Sequence, residues 1–405
     1  LPPRAGAPVI PFPFTHDPEE PLHEDVGFLT DVHEAYDSTE QRVKLRAIPR
    51  RGLEFGTFLG SAREAQHAGA LLYGYREQSM GIPLWMYGER LPSAVSGGAT
   101  VLPVSSAGVP WGLGDSVFIW RDPFTWEIAD FVSTAGGVTC SSLGSGWPAG
   151  TVVTPMRLGR LGTDAPVGWL NREIGTARLR FELDATGLAA PAGTPVGSLY
   201  EGVEVLDVVD PNRTGTIEEN VARKLAILDQ QTGLVQIDTQ APTPTPRRKL
   251  IWTATTRAEA AVMGGFIEAR RGRAVPFWLP SFQSDMTLAA DLAFGETVVG
   301  IQWAGYHEYL WPQGFGRRHV ALYSPGFPLE FKAIVASAHS GGSPTETITF
   351  DAPTAREYPA ATSAIMFLKY ARLDSDEVRR SWLSGHVCEA ELPIRELPIE
   401  EPVPA

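Results

Sequence analysis

The sequence predicts a mainly β fold, a β-sandwich or barrel with one helix packed on it, repeated in tandem so that the whole is α+β in detail. Three observations carry this expectation. The apolar runs are short, rich in Val, Ile, Thr and aromatic residues, and punctuated by 41 Gly and 34 Pro, a pattern of strands and turns rather than long helices. Pro49-Arg50-Arg51-Gly52-Leu53-Glu54-Phe55 returns as Pro246-Arg247-Arg248-Lys249-Leu250-Ile251-Trp252, 246 − 49 = 197 residues later. The features that follow each copy also return in order. Ser61-Ala62-Arg63-Glu64 matches Thr256-Arg257-Ala258-Glu259, both capping boxes that start a helix. Pro83-Leu84-Trp85 is matched to Pro276-Phe277-Trp278, and Arg160-Leu161 with Trp169-Leu170 to Arg372-Leu373 with Trp382-Leu383. Pro49, Leu53, Pro83 and Trp85 therefore mark the first copy, and Pro246, Leu250, Pro276 and Trp278 the second.

A chain of 405 residues exceeds one ordinary core and suits two similar units. Residues 1–15, with five Pro among the first thirteen residues, predict an extended arm without a fold of its own. The first unit is placed at 16–188, a Pro/Gly/Ala linker at 189–197, the second unit at 198–394, and an acidic, Pro-rich tail at 395–405.

Within the first unit, His16 to Glu34 interleaves three His with seven acids. It lacks the close His or Cys spacing of a metal shell, so it reads as a solvated loop leading into a strand. Gln41–Ile48 alternates charged and apolar residues like a half-buried strand, and Gly52–Leu59 leads to the first helix. That helix presents Ala65, Ala68, Leu72 and Tyr75 and stops by Gly81; its twin presents Ala258, Val262, Gly265, Phe266 and Ala269 and ends near Gly272. Strands are expected at 99–104, 116–121, 126–132, 151–158 and 176–183, and again at 297–303, 319–323, 329–335, 345–350, 364–370 and 387–392.

Chemistry is not signalled. There is no nucleophile elbow, zinc-helix motif, phosphate loop or dinucleotide fingerprint, so the chain is expected to have no catalytic residues, cofactor or metal. The segment Asp207 to Gly215 is a turn rather than a calcium loop, because its ligand spacing is wrong. Cys140 and Cys388 stand at non-equivalent places, which argues against a disulfide framework. The net charge of −13 argues against a dedicated nucleic-acid binder, which needs clustered Lys and Arg to neutralise phosphates. No apolar run approaches the length of about eighteen residues that a membrane span needs, so no membrane insertion is expected. Trp85, Trp278, Trp169 and Trp382 repeat with the fold and read as core anchors; Trp111, Trp126, Trp147 and Trp311 lack twins and are candidates for stacking on a glycan. Arg50, Arg51, Arg247 and Arg248 sit beside equivalent strands, where they either rim the sheet or pair with acids of a neighbouring domain or subunit.

Thr30-Asp31-Val32, Glu40-Gln41-Arg42 and Pro49-Arg50-Arg51, followed by a helix and a Pro-Leu-Trp strand, and the closing Trp382-Leu383 with a strand ending Glu391-Leu392, resemble tail proteins of long-tailed bacteriophages and gene transfer agents. The nearest group is the distal tail protein of siphovirus-type tail tips. The resemblance implies a structural virion protein, made in the host cytoplasm, that forms a ring between the tail tube and the baseplate hub with its tail-fibre or receptor-binding proteins. It also implies contact with the tape measure protein and with DNA in transit. Duplication departs from the one core per chain of many such proteins; it suggests a homotrimer with pseudo-sixfold symmetry, with a homohexamer as the other arrangement. A host glycan- or receptor-binding module and a tail-associated hydrolase are the alternatives.

Overall fold

In the computed structural model the described residues are 9–74, 78–112, 115–184, 193–207, 218–231, 233, 235–314 and 316–403. The fold is mainly β. The first half opens with β1 (Leu22–Gly27), β2 (Thr30–Glu34), β3 (Glu40–Lys44) and β4 (Arg50–Leu59), then α1 (Ala62–Gly74) and β5 (Met80–Pro83). It continues with β6 (Glu89–Arg90), β7 (Val101–Leu102), β8 (Ser116–Asp122), β9 (Thr125–Ser133) and β10 (Val138–Cys140). It closes with β11 (Val152–Leu161), β12 (Val167–Trp169) and β13 (Gly175–Leu183).

A short hairpin, β14 (Leu199–Tyr200) and β15 (Val203–Glu204), stands between the halves. The second half has β16 (Glu219–Ala222), β17 (Leu225–Asp229), β18 (Val235–Thr239), β19 (Thr245–Ala254), α2 (Arg257–Arg270) and β20 (Phe277–Pro280). Then come β21 (Val298–Gln302), β22 (His319–Tyr323), β23 (Glu330–His339) and β24 (Thr345–Phe350). The last are β25 (Ala364–Leu373), β26 (Glu377–Trp382) and β27 (Cys388–Glu396).

The two halves have the same wiring. In the first, β1 pairs with β4, β2 with β3, and β13 with β4, β11 and β12. There β11 also takes β5 and β8, and the chain β8–β9–β10–β7 completes the lobe. In the second, β16 pairs with β19, β17 with β18, and β27 with β19, β25 and β26. Likewise β25 takes β20 and β22, and β22–β23–β24–β21 completes its lobe. Every pairing between these strands is antiparallel, so each β strand can alternate core-facing and solvent-facing side chains, as β13 does residue by residue.

The registers correct the sequence match. Leu59 faces Gly175 and Ala254 faces Cys388, which places β4 against β19 at 254 − 59 = 195 residues, the spacing that also relates the helix caps. Arg248 thus stands where Leu53 does, and Pro246 where Arg51 does; the two Pro-Arg-Arg stretches are not equivalent. The same holds for Pro83, which faces Met156 while Pro280 faces Leu368. Given the Arg160-Leu161 and Arg372-Leu373 match, its twin is Pro280, and Pro276 lies outside the strand. Trp278 is in β20, whereas Trp85 begins a 3-10 turn. A slip of two residues keeps every side chain on its own face of a strand, so alternation alone cannot expose it.

Other expectations also change. The two halves share one core: Leu53, Phe55, Phe181 and Met156 pack in the same cluster as Leu250, Phe266, Leu392 and Ile394. Each half adds a separate small lobe, with Val117, Ile119 and Val138 in one and Ile301, Ile334 and Ile348 in the other. The described part of the N-terminal arm is core, not an appendage, since Phe12 and Phe14 are fully buried and Phe12 donates its N–H to the Gly81 carbonyl at 2.8 Å. The C-terminal tail fails similarly: Arg395 and Glu396 end β27, and Leu397 and Glu401 are buried. The acidic loop from His16 contains β1 and β2. Of the linker, residues 193–197 are described, and Val196 packs on the shared core.

Both helices start at their predicted caps, with Ser61 Oγ accepting from the Glu64 N–H at 3.3 Å and Thr256 Oγ1 from that of Glu259 at 3.2 Å. Each Glu reaches one residue beyond the cap, to the N–H of Gly60 or Thr255. The first helix ends at Gly74, and Gly81 belongs to β5; Leu71 rather than Leu72 is the buried member of its face, and Tyr75 is outside the described residues. In α2 the buried face runs through Ala260, Met263, Phe266 and Ile267, and Arg271 takes the left-handed conformation that ends it.

Candidate functional site

The feature with most chemistry is the seam between the halves. β1 uses one edge for β4 and gives the other to β26: Leu22 faces Trp382, Glu24 faces Arg380 and Val26 faces Val378. One sheet consequently runs β13–β4–β1–β26–β27–β19–β16 across the molecule.

β1 reads Leu-His-Glu-Asp-Val-Gly, a strand whose acids are buried because arginines meet them. Arg380 donates to Glu24 Oε2 at 2.5 Å, while Arg51 donates to Oε1 at 2.8 Å and also grips Glu268 on α2. Burial pushes the Glu24 carboxyl up, but Arg380 and Arg51 outweigh it and hold the group below its ordinary 4.5. Arg379 forks Asp25 at 2.7 and 3.0 Å. A Cβ at position 264 of α2 would come within 2.7 Å of Arg380 Nη1, so Gly264 lets the guanidinium lie against the helix where any other residue would shift it.

The β2–β3 hairpin extends the grip over the second half. Arg372 forks Glu40 at 2.6 and 2.8 Å, Arg395 donates to Glu34 at 2.9 Å, and Arg42 donates to Glu400 at 2.6 Å. The Thr30 N–H donates to Asp376 at 2.9 Å, and Arg273 donates to the Thr30 carbonyl at 2.9 Å. From the other side, buried Arg257 donates to the Gly88 carbonyl at 2.9 Å and pairs with Glu89. Forked arginine pairs fix direction as well as distance. The seam is a directional joint whose buried charges pair with one another.

Of the four predicted interface arginines, Arg51 alone crosses the seam. Arg50 is exposed at the start of β4; Arg247 meets Asp374 at 3.5 Å within its half; Arg248 is buried, donating to the Ser281 carbonyl at 3.3 Å and to Glu396 at 3.5 Å. The residues that make the joint, Glu24, Glu40, Arg372, Arg380 and Arg395, were not among those expected at an interface. A signal existed in the acidic pair Glu24-Asp25 and the basic pair Arg379-Arg380, which lie face to face.

Among the described residues no cluster of three His, Cys, Asp or Glu could hold a metal, and Cys140 and Cys388 are free and buried. Among the described residues no helix is long and apolar enough to cross a membrane. Of the Trp residues without twins, Trp126 and Trp147 line one pocket of the first lobe, Trp126 37% exposed and Trp147 buried in the lobe's core; Trp111 stacks on Phe131, and Trp311 lies under Arg318 in the second half. Trp169, read as a core anchor, is 59% exposed. A cavity of about 450 Å³ between β16 and the C-terminal segment is lined by Glu396 and Glu401. Glu396 is held by Lys369 at 2.7 Å and Arg317 at 3.0 Å, and Glu401 accepts from the N–H groups of Arg317 and Arg318 at 3.2 and 2.9 Å. No family model matches the chain, and no curated protein matches it.

Proposed function

We propose that this chain is a structural, non-enzymatic, ring-forming protein of a phage tail tip, of the distal-tail type that its sequence resembles. The observation that carries this reading is the seam: two halves of one wiring are joined head to tail, through different surfaces of each half. A head-to-tail contact, repeated with the same rotation, generates a ring when that rotation closes and an open filament when it does not. Three copies would present six alike halves to a six-fold tail tube, with the hub, fibres and tape measure protein as further partners and DNA passing through the centre.

The test is native mass spectrometry with negative-stain electron microscopy of the purified chain, alone and mixed with tail-tube protein. Closed trimeric rings that stack on tubes are expected; a monomer at micromolar concentration that ignores tubes overturns the reading. The hydrolase alternative would rest on Glu396 and Glu401, the two carboxyls that line the cavity of about 450 Å³. Release of reducing sugar from cell-wall glycan, abolished by Glu401→Gln, is the result that would favour it.

A further inference from the structure

The seam covers one edge from each half, and the counterpart edges at the opposite ends of the sheet have no strand beside them among the described residues. Glu219 faces Arg248 as Glu24 faces Leu53, so β16 is the twin of β1 at 219 − 24 = 195 residues. Trp169 faces Gly175 as Trp382 faces Cys388, and both hairpins close by the same turn, Leu170 N–H to Ile174 carbonyl and Leu383 N–H to Val387 carbonyl. β12 is therefore the twin of β26, at 382 − 169 = 213 residues.

Exposure follows the pairing. Val26 on β1 is 2% exposed and its twin Val221 is 52%; Trp382 on β26 is 3% exposed and its twin Trp169 is 59%. The backbone is suited to pairing as well. The Arg178 N–H donates to the Pro166 carbonyl at 3.1 Å, so Pro166 turns its missing N–H inward, toward β13. Because successive residues in a strand point their polar groups to opposite sides, Ala165 and Val167 offer theirs outward. Glu219 and Val221 do the same on β16, since they match Glu24 and Val26, which β26 covers. An edge left so is a template for another strand.

We propose that β16 of one copy pairs antiparallel with the β12 edge of a second copy, repeating between chains the joint that β1 and β26 make within one. The register follows from the seam: Glu219 lies opposite Val167, and Val221 opposite Ala165. The β17–β18 hairpin follows β16 as β2–β3 follows β1, and carries exposed Ile227 and Ile237 opposite each other. It crosses onto the first half of the second copy. Chemistry differs between the joints, because Arg380 is replaced by Val167 and Glu40 by Val235. The new joint is mainly aliphatic where the internal one is ionic. This inference rests on the ring reading and names its contacting strands.

Paired cysteines test it. In the full chain, Glu219→Cys with Val167→Cys should oxidise to a covalent ring of three copies on a non-reducing gel, since directly opposed residues bring their Cα atoms to about 5.5 Å, within disulfide reach. Glu219→Cys with Thr163→Cys, four residues out of register, should not. Val167→Lys with Trp169→Asp, both at exposed positions, should shift native mass from trimer to monomer with the circular dichroism unchanged. Wild-type protein that is monomeric overturns both the ring and this joint. Rings that form but do not crosslink at 219 and 167, and survive the charged variant, overturn the joint and leave the ring standing.

Discussion

Replacing Glu24 by Gln is the sharpest probe of what holds the halves together. Glu24 and Arg380 are each 3% exposed, and the carboxylate is shared between Arg380 and Arg51. Arg51 would keep Glu268, but Arg380 would lose the one acid it pairs with among the described residues. Stranding a buried charge in this way costs about 3–5 kcal/mol. Removing both members should cost far less, because replacing a buried ion pair by apolar groups of similar volume is often neutral or stabilising by about 1–4 kcal/mol. Glu24→Leu with Arg380→Met is therefore expected to recover most of the loss that Glu24→Leu suffers alone.

The assay is equilibrium unfolding in urea, followed by tryptophan fluorescence and far-UV circular dichroism. The two probes should report one transition, because the core is continuous across the seam. The effect of Glu24→Gln should also depend on pH in one direction. The folded carboxyl sits below its ordinary 4.5, so its stabilisation is full above that value and is lost as pH falls through the folded pKa. Wild type and variant should converge in acid. A loss under about 1 kcal/mol at neutral pH, against the 3–5 of a stranded charge, would refute the reasoning, as would two separate transitions at which the halves melt independently.

Three further outcomes are expected. Phe12→Ala, in the segment that reads as an arm, should cost about 3–5 kcal/mol in the same urea titration, because a fully buried ring is removed from the shared core. Thr256→Ala should cost about 0.5–2 kcal/mol by loss of the side-chain cap on α2, while Thr256→Ser should restore it. Burial pushes the Glu401 carboxyl up to about 7 from 4.5; a raised folded pKa means stability present below 4.5 and lost as pH rises toward 7. Thermal melts should therefore show wild type losing ground to Glu401→Gln between those values.

The duplication was legible because order survives where residues do not: a cap, a helix, a Pro-terminated strand and a Trp-Leu turn recur whatever fills them. Its register was not, because the Pro-Arg-Arg match is two residues off and a β strand looks the same after a shift of two. The seam was hidden for another reason. A strand such as Leu-His-Glu-Asp-Val-Gly is read as solvated when its partner, Arg379-Arg380, is some 350 residues away, and burial of its acids depends wholly on that partner.

The contrast between the two joints then has a physical sense. Within one chain β1 and β26 are tethered, so the desolvation of Glu24 and Arg380 is met as part of folding. An edge that must find its partner by collision has no tether to offset that cost. If β12 and β16 meet as proposed, Val167, Trp169 and Val221 bring apolar surface and few charges to desolvate, and the acid that β16 keeps, Glu219, is already occupied by Lys369 of its own half at 3.0 Å. Lys369→Met would release that carboxylate into the aliphatic joint. It should weaken the ring while leaving the pairing of β1 with β26 intact, measured as trimer dissociation at protein concentrations where wild type stays closed; a ring of unchanged stability would show that Glu219 does not face the neighbouring copy.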